Sequence, residues 1–186
     1  MADIAIFPLF PPSENEIENF NTIDCVPCGP EVNIIDDEEL SGKSVIDMVG
    51  ENSSIQFFCC CCHPLIVMHI NSGNRFLYII INVRDDLGKD RVFEMMNRRS
   101  NISIIGSTCQ VPMEIGEGWQ RICISMDDML SRAFGSKFSS CTSITFGGNC
   151  RLAKVFFQGE DYADPQLPSY LRVADSKKER YPIGTS

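Results

Sequence analysis

Apolar and polar positions along this chain form short blocks from residue 45 onward. The blocks are rich in Val, Ile, Phe and Cys and are bounded by Gly, Asn, Asp or Pro, the pattern of β-strands joined by turns. The run at 77–81 is apolar at every position, which predicts a strand covered on both faces. Ten strands are predicted, at residues 45–49, 55–60, 64–70, 76–81, 91–95, 102–105, 109–113, 119–124, 144–147 and 152–158.

Turn residues punctuate this pattern at three places. Residues 71–74 (Asn-Ser-Gly-Asn) and 85–88 (Asp-Asp-Leu-Gly) each separate two predicted strands, and Gly147-Gly148 is interpreted as a hairpin turn. Connections this short favour antiparallel neighbours.

One segment departs from the strand pattern and predicts a short helix at 126–134. Ser125 is an N-cap residue with an acid three positions later, and Gly135 lies where a left-handed C-cap belongs. Apolar residues fall on one helical face between them, at Met126, Met129, Leu130, Ala133 and Phe134.

These elements predict a mainly β protein, an antiparallel, jelly-roll-like β-sandwich with one short α-helix near 126–134. The expected organisation is an acidic, Pro-containing arm at 1–40 that builds little core, a sandwich domain at 41–174 and a basic tail at 175–186. A length of 186 residues suits one domain.

Charge is distributed unevenly. Of the 25 acidic residues ten lie in residues 1–40, whereas all 16 Lys and Arg lie after residue 40. The remainder is close to neutral, which disfavours nucleic acid as a partner. No apolar run is long enough for a membrane span, and no secretory signal is recognised, so we expect a cytoplasmic protein whose ten cysteines are thiols.

Cysteines supply the one arrangement that suggests a metal. Cys25 and Cys28 have the spacing of a zinc ligand pair, and four consecutive cysteines follow at 59–62. Neighbouring residues of a strand point to opposite faces, so at most two of the four can join the pair. We therefore expect thiols that fill a strand, with no metal and no other cofactor.

Catalytic signatures are not recognised. The sequence contains His63 and His69 but no Gly-x-Ser-x-Gly nucleophile elbow. Neither a phosphate-binding loop nor a dinucleotide-binding fingerprint is present. Both histidines are interpreted as structural, and Trp119 as a core anchor. We expect no enzymatic activity.

Several motifs occur in order between residues 65 and 173. They are Pro64-Leu65-Ile66-Val67-Met68, Arg91-x-Phe93, Val111-Pro112-Met113, Gly118-Trp119, Arg132-Ala133-Phe134-Gly135, Asn149-Cys150-Arg151, Val155-Phe156-Phe157 and Leu167-Pro168. The identity and order of these motifs resemble those of the family of cilia- and flagella-associated protein 20, the inner-junction protein of axonemal doublet microtubules. The resemblance implies a β-sandwich with one short helix.

The resemblance also implies a structural role. Such a protein binds α/β-tubulin where the B-tubule closes onto the A-tubule, beside a Parkin co-regulated gene protein-like partner and other doublet-lumen proteins. The implied location is the cytoskeleton of the cilium or flagellum, in the axoneme and basal body. Because tubulin is acidic, the expected contacts are basic side chains, namely Arg98, Arg99, Arg132, Lys137, Lys177, Lys178 and Arg180.

Residues 1–40 lack the glycine- and tryptophan-bearing opening of that family, and the cysteine run is foreign to it, which indicates a divergent member or a paralogue. Two alternatives stay open. One is a carbohydrate- or ligand-binding β-sandwich module, and the other is a zinc or thiol protein that uses Cys25, Cys28 and the run at 59–62.

Overall fold

The computed structural model describes residues 3–173 with their side chains and residues 177–180 as backbone. In these residues fourteen strands and one α-helix, α1 (Met126–Phe134), are formed. The strands in chain order are β1 (Ile6–Phe10), β2 (Cys25–Cys28), β3 (Val32–Asp37), β4 (Lys43–Met48), β5 (Ser54–Cys61), β6 (Leu65–Asn71), β7 (Leu77–Asp85), β8 (Asp90–Met96), β9 (Ser103–Ile105), β10 (Thr108–Pro112), β11 (Gln120–Ser125), β12 (Phe138–Gly148), β13 (Cys150–Gln158) and β14 (Lys177–Arg180).

The strands form two seven-stranded sheets. Sheet I has the order β14-β11-β6-β13-β4-β3, with β1 paired to β13, and sheet II has the order β2-β5-β12-β7-β8-β10-β9. All described pairings are antiparallel except β8 with β10 and β11 with β14. The inner faces of both sheets contribute to one apolar core, so the predicted mainly β sandwich fold is confirmed.

The helix begins and ends where the sequence predicts. The hydroxyl of Ser125 accepts a hydrogen bond from the backbone N–H of Asp128, and Gly135 takes a left-handed conformation with φ of 65°. Met126, Met129 and Leu130 are buried in the core, and Phe134 packs edge-on against Phe93 of β8. Within the described residues, no helix is long and apolar enough to cross a membrane.

All ten predicted strands are present, but two of the predicted turns join different sheets. The loop at 71–74 runs from β6 in sheet I to β7 in sheet II, and Gly147-Gly148 leads from β12 in sheet II to β13 in sheet I. The interpretation of Gly147-Gly148 as a hairpin turn was therefore wrong. A Cβ at Gly148, where φ is 89°, would overlap the backbone of Phe76, so glycine is required there by a close approach of two segments of backbone.

The turn at 85–88 is a true hairpin, between β7 and β8. The carboxylate of Asp85 accepts hydrogen bonds from the backbone N–H groups of Leu87 and Lys89 at 3.0 and 2.8 Å. It also pairs with the guanidinium of Arg91 at 3.0 Å. This acid closes its own turn, as its position in the sequence predicts.

Two-sided burial occurs in sheet I and not in β7. The residues of β7 alternate between buried and half-buried, so the apolar run 77–81 is covered on one face only, contrary to the prediction. In contrast, almost every residue of β6, β11 and β13 is buried. Residues 160–173 cover the outer face of sheet I, where a second apolar cluster contains Val67, Cys123, Phe156, Leu167 and Leu171.

The N-terminal segment takes part in both sheets. β1 pairs with β13, β3 pairs with β4, and β2 pairs with β5. Leu9, Phe10, Ile17 and Ile23 belong to the main core. The expectation that residues 1–40 build little core is therefore corrected, because their apolar residues complete a sandwich that the later strands leave open.

Two phenylalanines of β1 provide a test of this finding. Phe10 is fully buried, whereas Phe7 is 39% exposed. We expect Phe10→Ala to lower the free energy of unfolding by about 3–5 kcal/mol and Phe7→Ala by less than about 1.5 kcal/mol, measured by urea denaturation. If both variants lose the same small amount of unfolding free energy, this segment does not contribute substantially to the core.

Candidate functional site

The first pair of predicted contact residues lies after β8. Arg98 is exposed, forms an ion pair with Glu51 at 2.9 Å and places its guanidinium 4.5 Å from the ring centre of Phe76. Arg99 is half-buried and donates to the side-chain oxygen of Gln110 at 2.6 Å. Arg98 is therefore available to a partner, since an exposed ion pair contributes little, while Arg99 is committed to its own fold.

Arg132 and Lys137 lie in and after α1. Both are exposed, and Arg132 occupies the last turn of the helix, where a cation is favoured by the helix dipole. The backbone of Lys137 exchanges two hydrogen bonds, each of 2.9 Å, with Asp86 in the β7–β8 hairpin. That hairpin and Arg98 are at opposite ends of β8, so roughly 20 Å of strand separates these two basic positions.

The third group of predicted residues, Lys177, Lys178 and Arg180, lies in β14. This strand pairs in parallel with β11, from Lys177 opposite Gln120 to Arg180 opposite Cys123. Their side chains lie outside the described residues. Among the four predicted cations whose side chains are described, Arg98 and Arg99 therefore lie apart from Arg132 and Lys137.

Of the predicted ligand pair, Cys25 lies near the cysteine run, since it is opposite Phe57, two residues before Cys59, but Cys28 does not. Cys28 is paired with Ser54, five residues before Cys59, which places it about 17 Å along the strand from the cysteine run. Cys61 is buried, whereas Cys60 and Cys62 are exposed, as alternation along a strand requires. In the part of the chain that the structure describes, no three His, Cys, Asp or Glu side chains are placed to hold a metal ion.

A cavity on the outer face of sheet I brings together residues that the sequence analysis did not connect. We call it the basic cavity. Its volume is about 390 Å³, and it lies between sheet I, the turn after β3 and the segment that follows β13. The residues lining it are Glu39, Leu40, Ser41, Lys43, His69, Trp119, Lys154, Ser169, Arg172 and Val173.

Three strands place a row of cationic and imidazole groups beneath this cavity. Arg121 of β11 is directly opposite His69 of β6, which is directly opposite Lys154 of β13. Such partners have Cβ atoms about 5 Å apart. The three residues are only 1%, 4% and 4% exposed. Arg121 reaches Asp161 at 3.7 Å, and no described residue forms a hydrogen bond or ion pair with Lys154.

Polar atoms at the base of the cavity also lack partners. Both ring nitrogens of His69 and the indole nitrogen of Trp119 are buried without a hydrogen bond to a described residue. The two rings are in contact, with centroids 4.9 Å apart. Trp119 is half-buried at the wall of the cavity, so its interpretation as a core anchor is corrected.

Burial and mutual repulsion shift the pKa values of this row. Burial, with the charges of Lys154, Lys43 and Arg121, lowers the pKa of His69 to about 4. Burial and Lys43 lower the pKa of Lys154 to about 8, although Asp164 acts in the opposite direction. At neutral pH the row therefore contains a neutral imidazole between two cations, of which Arg121 has Asp161 at 3.7 Å while Lys154 has no ion pair to a described residue.

The low pKa of His69 predicts an acid-sensitive fold. The unfolded chain takes up a proton at His69 near pH 6.5, whereas the folded chain resists until about pH 4, so the free energy of unfolding falls as the pH drops through this window. The expected loss is up to about 3 kcal/mol. In urea denaturation between pH 4 and 7, His69→Phe should remove the part of this pH dependence that comes from His69. The control variant His63→Phe, which replaces the other histidine, should keep the same pH dependence as the unchanged protein. If the free energy of unfolding of His69→Phe changes with pH in parallel with that of the unchanged protein, the assignment to His69 is contradicted.

The model of the CFA20 domain matches residues 14–175. The chain is similar to "Cilia- and flagella-associated protein 20" of Caenorhabditis elegans, with 27% identity over 148 residues that cover 75% of this chain and 72% of the relative. The protein of the same name from Chlamydomonas reinhardtii is 24% identical over 140 residues, covering 70% and 74%.

One solved structure, described as an exo-beta-agarase, matches at 7% identity over 78% of this chain and 24% of that protein. Its TM-score of 0.35 is too low to indicate a shared fold or function. The family match, in contrast, includes the helix, strands β2 to β13 and every described residue that lines the basic cavity. This chain therefore belongs to the CFA20 domain family.

Proposed function

We propose that this protein is a non-enzymatic structural component of the ciliary or flagellar axoneme that helps to join the B-tubule to the A-tubule at the doublet inner junction. The observation that carries the proposal is the match to the CFA20 domain over residues 14–175, together with relatives named for their association with cilia and flagella. Those names describe an association and no reaction.

The proposed partners are α/β-tubulin, a Parkin co-regulated gene protein-like neighbour and other doublet-lumen proteins. Two properties of the fold support such a role. Sheet I is covered on both faces, which favours a body that keeps its shape between neighbours. Exposed cations at opposite ends of sheet II suit contacts to acidic tubulin, and a repeating lattice multiplies weak contacts through avidity.

Co-sedimentation with microtubules tests the proposal. The purified full chain should pellet with polymerised tubulin in a saturable manner and remain in the supernatant without it. A tagged copy in a ciliated cell should be enriched in isolated axonemes. A chain that stays in the supernatant and is absent from axonemes would defeat the proposal.

Charge reversal at the two ends of sheet II shows which end contacts tubulin. Arg98→Glu and Lys137→Glu change the net charge equally at exposed sites far apart on the fold, so each variant is the control for the other. We expect one of them to weaken co-sedimentation about threefold or more, because like charge then faces an acidic surface. If both variants bind as the unchanged chain does, neither residue is a tubulin contact.

A further inference from the structure

We propose that the basic cavity binds the carboxylate side chains of an acidic peptide segment, with Lys154 as the ion-pair partner at its base. This inference goes beyond the proposed function, because it assigns a ligand chemistry to a cavity whose described lining residues include none of the predicted tubulin contacts. It rests on the geometry of the outer face of sheet I.

The positive charge of Lys154 lies at the base of the cavity without an ion-pair partner among the described residues. Lys154 is 4% exposed and lacks a hydrogen bond or ion pair to any described residue, and a second cation, Arg121, lies two strands away on the same face. A buried ammonium group is costly unless a charged or polar group compensates it. A carboxylate that enters the cavity supplies that compensation.

The second argument is the set of donors around the cavity. The neutral imidazole of His69 has one N–H to donate, and the indole of Trp119 has another, and both are unsatisfied. Lys43 and Arg172 add exposed cations at the rim. The charged acceptors nearby are the carboxylates of Glu39 and Asp164, which are fewer than the donors, so a ligand rich in acceptors, as a carboxylate is, complements the cavity.

The apolar part of the cavity wall favours a peptide over a small inorganic anion. Leu40, Val173 and the ring of Trp119 form an apolar part of the wall. The methylene groups of a glutamate side chain can cover this surface, whereas a hydrated inorganic anion leaves it exposed. A volume of about 390 Å³ also exceeds what one side chain fills, which leaves room for adjoining residues.

Neighbouring acids set the direction from which such a segment enters. A second groove of about 630 Å³ shares Leu40, Lys43 and Lys154 with the basic cavity. Its other walls contain Glu14, Glu16, Glu18 and Asp36, which repel an acidic chain. The segment is therefore expected to approach past residues 39–41 and 172–173, where Glu39 is the one acidic side chain among the described lining residues.

The protonation state of Lys154 makes this binding pH-dependent. The bases around it are Lys43, His69, Arg121 and Arg172, and the acids are Glu39, Asp164 and, across the second groove, Glu14, Glu16, Glu18 and Asp36. Since the pKa of Lys154 in the free protein is about 8, the ammonium is mostly present at pH 7 and lost above pH 8. The affinity for a carboxylate should fall toward tenfold per pH unit above that point.

Tryptophan fluorescence provides a direct test, because Trp119 is the single tryptophan of the chain and lines the cavity. The probe is a hexaglutamate peptide titrated into the full chain at low ionic strength, and a hexaglutamine peptide is the neutral control. We expect a saturable change in Trp119 emission with hexaglutamate at pH 7, weaker binding at pH 9, and no change with hexaglutamine. No response, or an equal response to both peptides, would overturn the proposal.

Lys154→Met tests the residue itself. Methionine keeps the volume of the aliphatic stem and removes a buried charge, so folding should not suffer. We expect the affinity for hexaglutamate to fall about tenfold or more. Lys89→Met, which removes an exposed lysine of the β7–β8 hairpin, should bind as the unchanged chain does. Equal affinity of Lys154→Met and Lys89→Met would contradict the assignment.

Two further readouts complete the test. In proton NMR, saturation with hexaglutamate should raise the pKa of His69 by about one unit or more, because an anion beside the ring stabilises the imidazolium. His63→Phe leaves a single histidine signal for this measurement. Glutarate, a free dicarboxylate, should bind more weakly than the peptide at equal carboxylate concentration. An unchanged His69 pKa, or glutarate binding as tightly as hexaglutamate, would rule out a peptide site here.

Discussion

Strand β13 must have hydrogen-bonded neighbours on both edges, because it lies in a sheet that is covered on both faces. Every residue of this strand except Arg151 is buried, so its backbone groups cannot turn to water. β6 pairs along one edge, while β4 pairs with Cys150–Leu152 and β1 with Val155–Gln158 on the other. This requirement explains why residues near the N-terminus return to the centre of the fold. Arg151 strengthens the same junction through ion pairs with Asp47 of β4 and Asp37 of β3, at 3.0 and 2.9 Å.

The covering of sheet I also produces the basic cavity. Residues 160–173 pack their apolar side chains on Val67, Cys123 and Phe156, and where this packing ends the same strands present His69, Arg121 and Lys154. The layer above buries these cations and supplies Asp161 to Arg121 at 3.7 Å, but no described residue of it forms a hydrogen bond or ion pair with Lys154. In the proposed structural role, such a site can hold an acidic segment of a neighbouring protein in addition to the other proposed contacts.

Local signals explain what the sequence predicted well. The helix follows from the Ser125 cap, the apolar spacing and Gly135, all within eleven residues, and the Asp85 hairpin follows from one acid and its turn. Sheet membership depends on long-range pairing and was not predictable. The turns at 71–74 and Gly147-Gly148 have the sequence of hairpin turns, but each connects one sheet to the other. Strands β1 to β3 were not predicted, because the acids and prolines around them are typical of a solvated arm. The basic cavity was missed for the same reason, since His69, Arg121 and Lys154 become neighbours only through the register of three strands.

The central claim is that this folded sandwich is held as a repeating unit within a doublet microtubule. Electron cryo-microscopy of doublets isolated from ciliated cells that express a tagged copy tests it most directly. The account predicts density that accommodates residues 3–173 at the junction of the B-tubule with the A-tubule, repeated along the filament. Doublets that lack the tagged protein, or that carry it without a regular repeat, would contradict the account.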